Sequence, residues 1–452
     1  MTAGLAGSAR RIAPLAWPVF VGQLSVLAFA TVDTVLLGRY GAGDLAALSV
    51  GAAAYIITFI GFMGVVLALG PIVGQLHGAG RHADAGRQLH QAVWIAIGLA
   101  ALGSTLLAFP FPFLALAQAS PELAGKVRGY LLALACSLPA SLLFTVYRGF
   151  NVAVSRPKAV MAIQLVGLGL KVPLSALLIF GWPAAGLPAL GVAGCGIATC
   201  LAMWTQALAA ARVLRRDPFY ERFRIAGRGL DAPDRRAIAT QLRLGLPMGG
   251  AILVEVSGFA LMAVFIARLG TTAVAGHQIA ANLVSMLFML PLALANGTGT
   301  LVAQRIGARD IDDARRLGWH GLVLAAGVAL LLGGTVLVLR PQVVALYTRD
   351  AAVAAAALPL LAFVAVFHVA DALQTVSAFV LRAWRIATVP LIINATALWG
   401  VGLGGGYALA FGRGEGAPGF WAASTAGLML TALALALFQG WVMRTRAKSA
   451  TR

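Results

Sequence analysis

Twelve stretches of this chain are too long, too apolar and too free of charge to fold in water. Between charged or turn-rich punctuation they run over 12–38, 46–71, 90–113, 127–148, 158–181 and 187–212. The second six run over 243–267, 273–300, 317–339, 352–381, 387–411 and 418–443. Crossing the hydrocarbon of a bilayer takes about 20 apolar residues in a helix, and only a helix or a closed barrel satisfies its own backbone there. Of 452 residues, 60% are hydrophobic and 11% charged, against about 45–50% and 25% in soluble domains. A soluble fold is excluded. The reading is an all-α polytopic membrane protein with twelve transmembrane helices.

The net charge of +19 would suggest a nucleic-acid partner if it lay on one soluble face. It lies instead at the borders of the apolar runs. With both termini in the cytoplasm, cytoplasmic segments hold 26 of the 34 Lys and Arg, and outer segments hold 7. That asymmetry is the positive-inside pattern, so no nucleic-acid partner is expected. Cys136, Cys195 and Cys200 all fall inside apolar runs, which points to neither a disulfide framework nor a metal site.

The sequence repeats itself. A slide of 229 residues brings Pro18 onto Pro247, Arg39 onto Arg268, Gly41 onto Gly270, Gln75 onto Gln304, Asp84 onto Asp313 and Arg87 onto Arg316. Shared hydrophobicity does not align Arg, Gln, Asp and Pro at one register. Each copy holds six spans, so the two six-helix lobes enter the membrane in the same orientation and should be related by pseudo-twofold symmetry about the membrane normal. The sequence divides into an N-terminal lobe, 1–213, a charged cytoplasmic linker, 214–242, and a C-terminal lobe, 243–452. Like-oriented lobes around a shared cavity are a transporter's architecture.

Three acids lie within spans: Asp33, Glu255 and Asp371. Glu255 has no charged neighbour between Arg243 and Arg268, and Asp371 none between Asp350 and Arg382. A charge at the middle of a membrane helix costs roughly 2.5–3.5 kcal/mol, so such groups face a polar interior and act there. Each is a candidate to carry a proton or to bind a coupling Na⁺, a hard cation that needs oxygen ligands. Na⁺ would sit at Glu255 and Asp371. In the repeat frame Glu255 falls seven residues before the counterpart of Asp33, about two helical turns away on the same face.

Anionic walls attract cations and aromatic faces help hold them. Tyr55, Phe59, Phe259, Phe288 and Phe367 are candidates for a substrate cavity, with Gln278, Asn282 and Gln374 as polar partners. Lys171, in GLKVPLSALLIFG, must snorkel, pair or deprotonate, and a pair with Asp33 is one expectation. His368 lies three residues from Asp371, on the same helical face, and is a candidate proton partner for it.

The run PVFVGQLSVLAFATVDTVLLGRYGAGDLAALSVG, VEVSG at 254–258, AGHQIAAN at 275–282 and the Asp371 helix together resemble the multidrug and toxic compound extrusion (MATE) family, NorM-like branch. The resemblance covers essentially the whole chain. It implies a bacterial inner-membrane antiporter, with no enzymatic activity and no cofactor beyond Na⁺ or H⁺. Such an antiporter expels organic cations and amphipathic drugs by alternating access, and a monomer is expected. It assigns Asp33 as the first-span acid and Glu255 with Asp371 as the second lobe's cation site. Two departures stand out: Lys171 and Ser175 replace amide-bearing positions, and Phe288 and Phe367 replace tyrosines. Two alternatives are weighed against this one. A lipid-linked precursor flippase would want several cavity cations, and this chain offers Lys171. A membrane-embedded lipid-modifying enzyme would want clustered acids, and the cluster at Asp310, Asp312 and Asp313 is ringed by arginines.

Overall fold

The computed structural model describes residues 4–116, 120–183, 186–225, 227 and 229–450; residues 226 and 228 of the expected linker lie outside them. Among the described residues twelve helices are long and apolar enough to cross a membrane, and no named strand occurs. The all-α, twelve-span reading holds. The elements are α1 Leu5–Tyr40, α2 Ala42–Val66, α3 Leu69–Gly78, α4 His82–Ala108, α5 Phe111–Leu116, α6 Pro121–Ala153, α7 Pro157–Phe180 and α8 Gly191–Arg216. After a 3₁₀ turn at Pro218–Phe223 come α9 Arg235–Ala267, α10 Thr271–Gly307, α11 Ile311–Val338, α12 Arg340–Tyr347, α13 Ala351–Ala383, α14 Thr388–Asn394, α15 Gly405–Tyr407 and α16 Gly416–Ala450.

The repeat is legible in the backbone. Helices α10, α11 and α13 begin 229 or 230 residues after α2, α4 and α6. The left-handed residues pair as well: Gly80 (φ 72°) with Arg309 (φ 62°), and Ser155 (φ 62°) with Arg385 (φ 59°). Helix starts are capped where sequence allows, with Ser120 accepting from the Leu123 amide and Asp350 from Ala352 and Val353. Asp310 caps α11, and Asp313 pairs with Arg11 at 2.7 Å and Arg305 at 3.1 Å. The acidic cluster thus serves as a cap and an ion pair.

Packing divides the chain along a different line from the six-helix partition. One compact unit is Val21–Gly249; the other is Met1–Phe20 together with Gly250–Arg452. Helix α1 passes from one to the other after Phe20 and α9 after Gly249, each two residues beyond an internal proline, Pro18 and Pro247. The first turns of α1 join the later unit for identifiable reasons. Arg11 reaches Asp313, Ser8 Oγ lies 2.7 Å from His320 Nδ1, and the Ile12 backbone runs against Gly297 of α10.

Glycine permits the closest helix approaches. A Cβ at Gly194 of α8 would stand 2.4 Å from the Leu178 carbonyl oxygen of α7, and one at Gly167 of α7 would meet Gln206 of α8. In the other unit, a Cβ at Gly427 of α16 would stand 2.7 Å from the Ala397 carbonyl oxygen. Ala397 belongs to a π-helical stretch, Ala395–Gly404, that continues α14 where α7 of the first half is regular α-helix.

Candidate functional site

In the Val21–Gly249 unit Lys171 and Asp33 meet within the spans. Lys171 has none of its surface exposed and Asp33 has 7%. The ammonium lies 2.8 Å from Asp33 Oδ1 and donates to Thr199 Oγ1 at 2.6 Å. It also lies 5.4 Å from the centre of the Phe29 ring, within cation–π range. The expected Lys171–Asp33 pair is therefore present. Three helices build it: α1 supplies Asp33 and Phe29, α7 supplies Lys171, and α8 supplies Thr199. Ser175, one turn beyond Lys171, and Cys195, one turn before Thr199, flank the carboxylate. Glycine at 167 and 194 lets α8 close on α7 so that the short Thr199 hydroxyl reaches the lysine.

Tyr55 and Phe59 stack on α2 with ring centres 5.6 Å apart, and the Tyr55 hydroxyl lies 3.2 Å from Ser141 Oγ. Both rings pack against the apolar core of this unit.

In the other unit Glu255 of α9 is half-buried and Asp371 of α13 is 4% exposed. Their carboxylates lie within electrostatic reach of each other, and the Arg382 guanidinium acts on Glu255 from the end of α13. Gln374, one turn on from Asp371, donates from Nε2 to Asp371 Oδ1 at 3.2 Å and to Thr375 Oγ1 at 3.2 Å. The Trp399 indole crosses α9 beside Glu255, donating to the Val254 carbonyl at 3.0 Å. This arrangement offers carboxylate and amide oxygens to a hard cation.

Other expected residues fall elsewhere. His368 does not bond Asp371. It is fully buried and both its ring nitrogens lack a hydrogen-bond partner. Phe367, expected in a cavity, is 6% exposed and packs edge-on to Trp421 at 5.7 Å and Phe259 at 5.8 Å. His277 completes this aromatic cluster by accepting from Trp421 Nε1 at 3.3 Å. Phe288 is half-buried, while Gln278 and Asn282 are exposed, and Asn282 Oδ1 accepts from the Tyr347 hydroxyl at 2.9 Å.

Thr199, Phe29, Arg382 and Trp421 are the partners that sequence reasoning missed. Thr199 carried a signal, since it shares with Cys195 the small-residue face GCGIATC. Arg382 looked like an ordinary border arginine.

The MatE family pattern matches residues 18–177 and again 247–408, one copy in each half. The chain is similar to Probable multidrug resistance protein NorM of Aromatoleum aromaticum, 41% identical over 435 residues that cover 95% of this chain and 92% of the relative. It is also similar to Multidrug resistance protein PmpM of Pseudomonas aeruginosa, 34% identical over 433 residues, 95% of this chain and 90% of that one. Its fold is similar to a solved MATE in the bent conformation, with a TM-score of 0.90 at 18% identity over 98% of this chain and 97% of the other. Vibrio cholerae VcmN in the bent form gives 0.86 at 20% identity over 98% of each chain. With the pattern found in both halves of the repeat, this chain belongs to the MatE family.

Proposed function

We propose that this membrane protein exports cationic and amphipathic drugs by alternating access in exchange for Na⁺ or H⁺, with Glu255 and Asp371 as the coupling carboxylates. One observation carries the reading. Two acids from different helices lie within electrostatic reach of each other inside one unit, and Arg382 lies within electrostatic range of Glu255. Two like charges in a low-dielectric interior repel each other strongly. A cation entering between them removes that repulsion, so the ion-loaded and ion-free unit differ in free energy, and that difference is what couples an ion gradient to a change of state. Gln374 holds Asp371 in place through its amide and leaves the second carboxylate oxygen for the ion. The relatives named as multidrug resistance proteins support the choice of drugs as cargo. The inner bacterial membrane, cytoplasmic termini and a monomer belong to the same proposal.

Ethidium accumulation in cells stripped of their own efflux pumps tests it. The unmodified chain should keep the dye out, and Asp371→Asn at matched expression should not. Loss of export when Na⁺ is replaced by choline would identify the coupling ion as Na⁺; export that persists would identify the proton. A chain that excludes no more dye than empty cells would remove the drug reading and favour a lipid-linked cargo.

A further inference from the structure

A fully buried lysine side chain is costly unless every donor and its charge are answered. Lys171 is answered three ways: the Asp33 carboxylate at 2.8 Å, the Thr199 hydroxyl at 2.6 Å and the Phe29 ring face at 5.4 Å. Carboxylate, hydroxyl acceptor and aromatic face together are the recognition set for an alkylammonium. The repeat shows that the fold does not require this set. The counterpart of Asp33 is Met262, which is 2% exposed. Thr199 stands eight residues after Gly191, and eight residues after Gly416, the left-handed glycine that opens α16, stands Ser424. Ser424 donates to Met262 Sδ at 3.4 Å, so the equivalent place is closed by an uncharged contact.

We propose that Asp33, Thr199 and Phe29 form an alkylammonium-binding site that the chain fills with its own Lys171. Lys171 is then a specificity-determining residue. While its ammonium is seated, the acid within the spans of the Val21–Gly249 unit is answered, and a cationic ligand reaches Asp33 only by displacing it. The site rests on the geometry above; its consequence for transport rests on the export reading.

The test is chemical rescue of the purified chain in detergent, read as melting temperature. Lys171→Ala removes three methylenes and the ammonium, the volume and charge of n-propylammonium. That variant should melt lower than the unmodified chain and recover most of the loss as n-propylammonium chloride is added. Sodium chloride at the same concentration should recover much less. The unmodified chain should not respond, and Asp33→Asn/Lys171→Ala should lose the response. Equal recovery with sodium chloride would overturn an ammonium site, as would rescue that survives loss of Asp33 or appears equally in the unmodified chain. If Lys171→Ala does not survive purification, Lys171→Met fills the space without the charge. It and Asp33→Asn should each melt lower than the two combined, and additive losses would overturn the proposal. These readouts need no transport, so a failed ethidium assay and a failed site are distinguishable.

Discussion

The two units carry the same helices and opposite charge arrangements. In Val21–Gly249 the intramembrane acid is matched by an amine from the neighbouring helix, held in a three-sided seat. In the other unit two acids, Glu255 and Asp371, lie within electrostatic reach of each other, and the helix equivalent to α7 bears no charge between Arg385 and Arg413. Where α7 runs as regular helix through Lys171, its counterpart winds as π-helix through Val401. The sequence repeat accounts for the shared scaffold, while a handful of side chains decides which copy pairs its intramembrane acid with a base, the closed side. The other copy, the open side, carries two acids with no base in salt-bridge range among the described residues.

The largest effect should come from breaking the open side. Glu255→Gln or Asp371→Asn should bring ethidium export down to that of cells without the protein, with little loss of folded material, because a neutral amide relieves repulsion. Next in size is the closed side. Removing one member of a buried pair leaves the other charge unanswered, which costs about 3–5 kcal/mol. Asp33→Asn and Lys171→Met should each lower the melting temperature in detergent far more than their combination does. Losses that simply add would mean the two charges do not interact.

A smaller effect tests the close helix contacts within each unit. Gly194→Ala and Gly427→Ala each push a methyl against a backbone carbonyl oxygen, at 2.4 and 2.7 Å, and each should cost about 1–3 kcal/mol. Thermal unfolding should show a loss for each, and a silent variant would mean that the backbone gives way at that glycine. The smallest effect sharpens the contrast between buried and exposed pairs. Asp217 sits outside the spans; the Phe219 amide and then Arg156 hold its carboxyl below the usual range. A depressed carboxyl adds stability above its unfolded pKa and loses it as pH falls through the folded value. Asp217→Asn should therefore cost below about 1 kcal/mol at neutral pH and nothing in strong acid, seen as melting curves that converge on acidification.

Most of the fold was legible because the membrane restricts the choice. Apolar length marks each span, and the Arg, Gln, Asp and Pro matches at one register mark the repeat. The Asp33–Lys171 pair was legible for the same reason: a lone lysine in a span needs a partner, and the first half offered one intramembrane acid. The rotation of each helix was not legible. A span that is hydrophobic all round carries no moment to show which way Phe367 or His368 turns, and both turned into packing. Arg382 reads as a topological signal until the fold brings it within electrostatic range of Glu255. The unit boundary after Phe20 falls inside one continuous helix, marked in sequence by Pro18 alone.

The most direct measurement drives ethidium into proteoliposomes with an imposed Na⁺ or H⁺ gradient and compares Asp371→Asn with Asp33→Asn/Lys171→Met. If coupling rests on the open unit, Asp371→Asn is inactive under both gradients while the doubly neutralised chain retains most of its transport. Transport that survives Asp371→Asn and disappears when Asp33 and Lys171 are neutralised together would contradict the account.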